Sequence, residues 1–246
     1  MTTTDRWEVL DLFCCAGGAT RGYQQAGFRV TGVDLVPRAE YVGEEFHQGD
    51  AVAFVLDNLT EIRSRFAFVH ASPPCQGEGA PAKGTNRTRG NPHPRLIGPI
   101  RDALDLLGLP YVIENVAGAA LRKDLMLCGE MFGLGVLMHR YFEFGGGLRV
   151  AQPVHPKHRG RVRGWRHGHY YDGPYVAAYG DGGGKATVPE MQHAKGIDWT
   201  GEHLALREAL PPAYTRHIGA HLIAALNGAT PVQLELSDLL SVGSPA

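Results

Sequence analysis

The sequence predicts an α/β fold in which a doubly wound, mostly parallel sheet carries helices on both faces. Two observations support this fold class. Short apolar runs alternate with segments of helical apolar spacing, and the ends of the apolar runs carry glycine, cysteine and acidic residues. Ligands of doubly wound sheets bind at the carboxyl ends of the strands, so those residues are the first candidates for a site. A length of 246 residues suits one domain with a small insertion.

The predicted elements follow one another along the chain. They are strands at 8–13, 28–33, 66–71 and 111–113, and helices at 19–26, 51–65, 97–107 and 212–227. A Gly/Pro/Asn-rich stretch and a basic stretch interrupt this pattern, and regular structure resumes near Val188. We therefore expect a main domain over 1–148 and 187–230, an inserted region over 149–186, and a peripheral tail over 231–246.

The formal net charge of −1 would by itself argue against a nucleic-acid partner. The charges are unevenly placed, however. Residues 76–98 carry four Lys or Arg and one acid, and residues 149–169 carry six Lys or Arg and no acid. The rest of the chain is therefore acidic. This distribution favours a protein that presents a basic face to nucleic acid, with an affinity that falls as salt rises.

Cysteine and histidine usage bears on compartment and metal binding. The four cysteines show no CxxC spacing, which indicates reduced thiols and a cytoplasmic protein. No apolar run is long enough for a membrane span, and the N-terminus lacks the form of a signal peptide. Four histidines of the basic stretch are candidate metal ligands: His155, His158, His167 and His169. Because no cysteine joins them in the sequence, we expect no metal site.

A glycine-rich turn follows the first predicted strand. Gly17 and Gly18 would let the backbone approach a ligand that bulkier residues exclude, although a plain tight turn would use the same residues. Asp34, at the end of the second strand, is placed to accept hydrogen bonds from ribose hydroxyls. Asp50, after Gly49, could accept a bond from an adenine amino group. The pattern is typical of a nucleoside-containing cofactor site.

Ser72-Pro73-Pro74-Cys75-Gln76 places a cysteine directly after a buried strand. Two prolines hold it with little freedom, which suits a nucleophilic thiolate; the alternative is a small apolar core residue. Glu114-Asn115 ends the next strand, where burial would raise the pKa of the carboxyl so that it could donate a proton to a ring nitrogen. A helix cap or a solvent-facing glutamate is the alternative there. Together the two groups suit conjugate addition to a pyrimidine.

These motifs resemble those of the DNA (cytosine-5) methyltransferases. Asp11-Leu12-Phe13 with Gly17-Gly18 is similar to the family's first motif, Pro73-Pro74-Cys75-Gln76 to its nucleophile motif, and Glu114-Asn115-Val116 to the motif of its catalytic glutamate. Arg140, before Tyr141-Phe142, resembles the arginine that supports the flipped base. Pro211-Pro212-Ala213-Tyr214-Thr215 resembles the last motif, which closes the cofactor pocket. The motifs stand in the family's order across residues 8–226.

The resemblance implies a Rossmann-like methyltransferase fold, S-adenosylmethionine as methyl donor, and covalent attack by Cys75 on C6 of an extrahelical cytosine. Its catalytic motifs correspond to Cys75, Gln76, Glu114, Asn115 and Arg140. The predicted cofactor contacts are Phe13, Cys15, Ala16, Gly17, Gly18, Asp34, Leu35, Gly49, Asp50, Pro74, Tyr214 and Thr215. The loop over 76–98 would close over the substrate.

The resemblance also implies a double-stranded DNA substrate read by the inserted region over 149–186, which is short and so predicts a short recognition sequence. The predicted DNA contacts are Lys83, Arg87, Arg89, Arg149, Lys157, Arg159, Arg161, Arg163, Trp165, Arg166, His167 and His169. A solvated surface loop is the alternative for this charge run. We expect a monomer that needs no protein partner and no membrane.

Three departures from the family pattern affect these expectations. Cys15 replaces a glycine of the first motif, Asp34 replaces a glutamate, and Met138 replaces the first arginine of an arginine pair, so that base support would rest on Arg140. Three other functions stay open. The substrate could be tRNA, although the Cys-Phe-Thr signature of that class is missing; the chain could be a catalytically silent DNA-binding relative; or a modified cofactor could supply a group other than methyl.

Overall fold

The computed structural model describes residues 6–75, 94–179 and 186–228. The strands are β1 Glu8–Leu12, β2 Arg29–Asp34, β3 Glu45–Gln48, β4 Phe68–Ala71, β5 Tyr111–Asn115, β6 Leu125–Leu127, β7 Arg140–Gly145, β8 Gly164–Arg166 and β9 His169–Tyr171. The helices are α1 Gly18–Gln25, α2 Ala51–Asp57, α3 Leu59–Arg65, α4 Ile97–Leu107, α5 Val188–Lys195, α6 His203–Glu208 and α7 Pro212–Leu226.

Seven strands form one sheet in the order β3-β2-β1-β4-β5-β7-β6, and β8 and β9 form a separate hairpin. The first five strands of the sheet are parallel to one another, and β7 is antiparallel to both β5 and β6. This confirms the predicted mostly parallel sheet. The chain builds outward from β1 in one direction and from β4 in the other. A crevice forms at the carboxyl ends of the strands where the order reverses in this way.

The strand register brings the predicted site residues to one edge of the sheet. Leu12 of β1 pairs with Ala71 of β4, and Ala71 pairs with Ile113 of β5. The residues that follow these three positions therefore leave the sheet side by side. They are the glycine-rich turn, the Pro-Pro-Cys segment and the Glu-Asn pair.

Each face of the sheet is covered by its own helices, because successive strand side chains point to opposite faces. Val9 and Val30 lie in a buried cluster with residues of α1 and α7, whereas Leu10 and Val33 lie in a second cluster with residues of α2, α3 and α4. None of the helices in the described part of the chain is long and apolar enough to cross a bilayer.

Some elements differ from the sequence expectation. The predicted helix over 51–65 is two helices, because Asn58 leaves the helical conformation and its amide bonds back to the Phe54 carbonyl at 2.8 Å. Strands β3, β6 and β7 and the β8–β9 hairpin were not predicted. Val176 and Ala178, in the predicted inserted region, share a buried cluster with Val136. That end of the region therefore packs on the main domain.

Candidate active site

Three strand ends position the candidate catalytic side chains. Cys75 follows β4 after two prolines, Glu114 lies at the end of β5, and Arg140 begins β7. Because β5 and β7 are antiparallel and Asn115 pairs with Tyr141, Arg140 lies beside the end of β5. The sheet thus brings Glu114 and Arg140 together, although they are 26 residues apart in sequence.

Glu114 and Arg140 form a buried ion pair. The Arg140 Nε atom is 2.9 Å from Glu114 Oε1, and the two side chains are 15% and 9% exposed. The contact lacks hydrogen-bond alignment, however, so Oε1 is buried without a hydrogen bond. Burial raises the pKa of Glu114, and the charge of Arg140, a hydrogen bond from Ser72 and the charge of Lys195 oppose that rise. The carboxyl can therefore hold a proton and still has an oxygen available for a ligand.

The Cys75 thiol is held in the same electrostatic environment. The residue is exposed, but the protein around it desolvates the thiol and raises its pKa. The positive charge of Arg140 acts in the opposite direction and lowers the pKa, whereas Glu114 raises it. Arg140 therefore favours the charged form of both partners, the thiolate of Cys75 and the carboxylate of Glu114.

Asn115 joins the two strand ends. Its Nδ2 donates to the Pro73 carbonyl at 2.8 Å, and its Oδ1 accepts from the Val116 N–H at 2.9 Å. These bonds fix the segment that leads to Cys75 relative to the segment that carries Glu114. In this structure Asn115 is a positioning residue for the predicted nucleophile.

A buried hydrogen-bonded chain that the sequence analysis missed supports Glu114 from behind. Tyr23 Oη is 2.9 Å from His70 Nδ1, His70 Nε2 is 2.9 Å from Ser72 Oγ, and Ser72 bonds to Glu114. Burial lowers the pKa of His70 to about 3, so the ring is neutral. The network fits Tyr23 donating to Nδ1 and Nε2–H donating to Ser72, which then donates to Glu114. A histidine within the apolar run of β4 was the only sequence signal.

The glycine-rich turn has an unusual backbone conformation, which Asp34 holds in place. Phe13 and Cys15 have φ values of 60° and 48°, which non-glycine residues rarely adopt. Asp34 holds the turn, since its Oδ2 accepts from the Cys15 N–H at 2.8 Å. Its Oδ1 accepts from the Val36 N–H at 2.9 Å. The predicted ribose acceptor therefore already braces the turn, and its Oδ1 also lies 3.5 Å from Arg38 Nε.

The two glycines of the turn are explained by packing within the protein. Gly17 has a φ of 87° and precedes α1, and a Cβ there would lie 2.8 Å from Val42 Cγ2. A Cβ on Gly18 would lie 2.3 Å from the Leu210 carbonyl oxygen. Both positions thus require glycine without reference to a ligand. Their predicted cofactor contacts stay a prediction.

A cleft of about 270 Å³ opens beside this turn, lined in part by Ala16, Val36, Arg38 and Glu202. Leu35, which follows the Asp34 brace, and Val36, which lines the cleft, are 68% and 49% exposed, so two adjacent apolar side chains reach the surface here. Such an arrangement offers an apolar surface next to hydrogen-bond acceptors. It fits the nucleoside part of a cofactor.

The other predicted cofactor residues differ in their burial and in their hydrogen-bond partners. A Cβ on Gly49 would meet open space, and Asp50 caps α2 by accepting from the Ala53 N–H at 2.9 Å. Pro74 is exposed next to Cys75. Tyr214 and Thr215 are fully buried: the Tyr214 hydroxyl donates to the Met138 carbonyl, and Thr215 Oγ1 donates to the Ala19 carbonyl at 2.8 Å. Their observed role is to join α7 to the rest of the fold.

A buried lysine near the site was also missed. Lys195 is 1% exposed, and its Nζ donates to the carbonyls of Leu206 and Ala209 at 2.6 and 2.8 Å. It thus satisfies carbonyls at the end of α6. Burial lowers its pKa well below the usual range. Sequence reasoning had no signal for a lysine in the core.

The predicted DNA contacts divide into paired and exposed groups. Arg159 is paired with Glu130 at 2.9 Å, and Arg163 is paired with Glu190. Five of the others are exposed: Arg149, Lys157, Arg161, His167 and His169. Three predicted DNA contacts lie outside the described residues, namely Lys83, Arg87 and Arg89. The predicted catalytic residue Gln76 also lies outside them.

The β8–β9 hairpin presents aromatic rings to solvent. Trp165 and Tyr170 form a cross-strand pair with ring centroids 5.6 Å apart, and their exposed fractions are 63% and 47%. His167 and Gly168, both with positive φ, make the two-residue turn, and Arg166 lies in β8. The hairpin places the predicted Trp165 contact at the protein surface.

Two of the four histidines of the basic segment, His155 and His158, do have a cysteine near them, contrary to expectation, whereas His167 and His169 are not part of this group. Cys128 Sγ lies 3.7 Å from His158 Nε2, and His139 and His155 lie in the same group. The chain reversal after β6, which the sequence analysis did not predict, brings Cys128 to this place.

No protein-family model and no curated protein matches the chain, but solved structures do. A DNA modification methyltransferase encoded within an E. coli prophage matches with 17% identity and a TM-score of 0.36, over 56% of this chain and 45% of that one. DNMT2 of Spodoptera frugiperda matches with 18% identity and a TM-score of 0.44, over 58% of this chain and 51% of that one. A SAM dependent methyltransferase of Agrobacterium tumefaciens matches with 19% identity and a TM-score of 0.30, over 47% and 41%. The matches thus span about half of each solved chain.

Proposed function

We propose that this chain is a methyltransferase that modifies C5 of cytosine in duplex DNA through a covalent bond to Cys75. The observation that carries the proposal is the assembly of three groups at one sheet edge. A cysteine after two prolines, a buried glutamate with an unbonded oxygen, and an arginine paired to that glutamate meet there. This set suits addition of a thiolate to an electron-poor ring, because the ring needs a proton donor opposite the nucleophile.

The Cys75 thiolate forms a bond to C6 of the ring while Glu114 donates its proton to N3, so that the ring's electron density moves to C5. S-adenosylmethionine would supply an electrophilic methyl group to C5 and would leave as S-adenosylhomocysteine. The residues that would hold it are those of the cleft, the turn and Leu35. The C5 proton then leaves to solvent and the Cys75–C6 bond breaks. Glu114 regains the N3 proton, and the thiolate is regenerated.

The remaining groups orient the reaction. Arg140 holds Glu114 at 2.9 Å and favours the thiolate of Cys75. Asn115 sets the path of the chain into Cys75 through its bond to Pro73. A base must leave the duplex to reach such a cleft, at a cost of a few kcal/mol. The exposed basic and aromatic residues of the 149–179 segment are the candidates to recover that cost.

The proposal is tested with duplex DNA that contains 5-fluorocytosine and with labelled S-adenosylmethionine. We expect a covalent adduct on a denaturing gel for the wild type and for Cys14→Ser, a control at a buried cysteine, and none for Cys75→Ser. With ordinary duplex DNA, 5-methylcytosine should appear in the nucleoside digest. Label found in tRNA alone would contradict the DNA substrate. Label in neither nucleic acid would contradict cytosine methylation. Bisulfite sequencing of the product then gives the target sequence.

A further inference from the structure

Four side chains converge beside β6 and β7, at the same carboxyl edge of the sheet that carries Glu114 and Arg140. They come from three segments of the chain: Cys128 follows β6, His139 precedes β7, and His155 and His158 belong to the basic segment. One potential ligand atom from each residue lies within 4.8 Å of the others. Within the described residues this is the group that brings a thiol and three imidazoles together.

The distances within the group resemble the edges of a coordination tetrahedron. His155 Nε2 is 3.3 Å from both His139 Nε2 and His158 Nε2, and His158 Nε2 is 3.7 Å from Cys128 Sγ. A tetrahedral zinc ion with bonds of about 2.05 Å to nitrogen and about 2.3 Å to sulfur requires about 3.3 Å between two nitrogens and about 3.6 Å between nitrogen and sulfur. These three of the six separations agree with those values, and in each of the other three pairs the atoms lie within 4.8 Å of one another.

Hydrogen bonding explains the same arrangement less well. Three Nε2 atoms meet at one point, and a neutral imidazole carries one proton for its two nitrogens. His155 Nε2 contacts two other Nε2 atoms at 3.3 Å, at the long end of hydrogen-bond distances. Nitrogen lone pairs that point at one another repel, whereas a cation between them removes that repulsion. The convergence of like atoms thus favours a bound cation.

We propose that Cys128, His139, His155 and His158 form a structural zinc site. One thiolate and three imidazoles suit Zn²⁺ and its analogue Co²⁺, and they do not suit Mg²⁺ or Ca²⁺, which take oxygen ligands. Four protein ligands complete the tetrahedron and leave no open position, as in structural sites. Binding breaks the S–H bond of Cys128 and releases its proton to solvent, while the imidazoles bind in their neutral form.

The site would fasten the basic segment to the catalytic half of the sheet. His139 adjoins Arg140, whose Nη1 donates to the His139 carbonyl at 3.0 Å. His158 adjoins Arg159, which is paired with Glu130 in the turn after β6. One ion would therefore hold the start of the 149–179 segment next to the arginine that supports Glu114. This role does not depend on which substrate the enzyme modifies.

The test uses full-length protein freed of metal with a chelator and then titrated with Zn²⁺ or Co²⁺. We expect about one zinc ion per chain by mass spectrometry, and a Co²⁺ complex with tetrahedral absorption and a thiolate charge-transfer band. His155→Ala should weaken binding by about 100-fold or more, because even the loss of an outer partner costs about 10- to 100-fold. Cys128→Ser should abolish the charge-transfer band. His155→Cys, which keeps a ligand, should retain the metal.

His193→Ala is the matched control, since His193 is an exposed histidine of α5 outside the group. It should bind zinc as the wild type does. The wild-type Co²⁺ spectrum shows whether a tetrahedral, thiolate-containing site exists, even where a variant fails to fold. The proposal is overturned by a folded wild type that binds no zinc, by a Co²⁺ complex without the charge-transfer band, or by equal zinc affinity in the wild type and His155→Ala. Because every readout is metal binding, the result is independent of methylation activity.

Discussion

The two halves of the carboxyl edge of the sheet are built in opposite ways. At the ends of β4 and β5 and the start of β7, the predicted catalytic side chains are available to a ligand: Glu114 Oε1 has no hydrogen bond, and Cys75 is exposed. At the end of β2, by contrast, both oxygens of Asp34 already accept main-chain bonds. The first half therefore presents reactive side chains, and the second presents a shaped backbone.

This difference explains why the two halves respond differently to mutation. On the reactive half, changing one side chain should remove chemistry and leave the fold intact, because that side chain contributes little to packing. On the backbone half, the same kind of change should alter stability first. Asp11 illustrates this: its Oδ2 accepts from Thr20 at 2.6 Å, its Oδ1 is buried without a partner, and it lies in the core of the sheet.

The largest expected effect is that of Glu114→Gln. The amide cannot donate an acidic proton to the ring, so we expect kcat to fall by about 10²- to 10⁴-fold, a typical contribution of general acid catalysis. Burial raises the pKa of Glu114 despite its pairing with Arg140, so the charged form of Glu114 lowers stability, and removing that charge should not lower the melting temperature. Methyl transfer to DNA and thermal unfolding measure the two effects.

Glu143→Gln is the contrasting variant on the neighbouring strand. Glu143 is fully buried, and Arg101 contacts both of its oxygens, at 2.7 and 2.8 Å. Removing its charge leaves Arg101 partly unpaired, so stability should fall while kcat stays near that of the wild type. An unchanged kcat for Glu114→Gln, or equal losses of kcat in both variants, would contradict the assignment of Glu114.

The next-largest expected effect is a change in the pH dependence of kcat/KM when Arg140 is replaced. The positive charge of Arg140 lowers the pKa of Cys75, so Arg140→Ala should raise that pKa and move the acid limb of the kcat/KM profile to higher pH. Loss of one oriented charge also lowers kcat by about 10²-fold. Arg140→Lys keeps the charge, and its acid limb should stay near that of the wild type. If the acid limb of Arg140→Ala stays at the wild-type pH, the pKa of Cys75 does not determine that limb.

The sequence predicted β1, β2, β4 and β5 and the order of the residues at their ends, because apolar periodicity and strand ends are local features, but it did not predict β3, β6 and β7. Contacts between segments that are distant in sequence could not be predicted in this way. The Gly18 position is determined by the Leu210 carbonyl, and the pairing of Arg159 and Arg163 depends on Glu130 and Glu190. Each of these partners lies well outside the motif that it affects. Periodicity indicates which side of an element is buried and not what lies against it.

The same limit applies to the histidines. Their spacing in the basic segment gives no hint of Cys128, which the unpredicted strands β6 and β7 bring to them. It also applies to His70, which in sequence is one residue of an apolar strand. Its hydrogen bonds to Tyr23 and Ser72 show that it belongs to the support of Glu114.

On the backbone half, Asp11→Asn should change the pH dependence of stability. Burial raises the pKa of Asp11 to about 7, above its value in the unfolded chain. Between about pH 4 and pH 7 the native state therefore binds more protons than the unfolded state, and this carboxyl lowers stability as pH rises. Asp11→Asn should stabilise the protein by about 4 kcal/mol at pH 8 and little at pH 4.

Urea unfolding at several pH values measures this effect. Thr20→Val is the companion variant: the Thr20 hydroxyl bonds to Asp11 and lowers its pKa, so its loss should steepen the decline of stability with pH. Parallel stability curves for Asp11→Asn and the wild type would show that Asp11 does not titrate in this range.

The smallest expected effect separates exposed from paired arginines in the basic segment. Arg161 lies over the Tyr171 ring at 5.6 Å and has no ion pair in the described part of the chain, whereas Arg163 is paired with Glu190. If Arg161 contacts a phosphate, Arg161→Ala should reduce the salt slope of DNA binding by about 1. Arg163→Ala should leave the slope nearly unchanged, because its charge is already balanced. Equal slopes in the two variants would mean that ion pairing within the protein does not decide which basic residues reach the DNA.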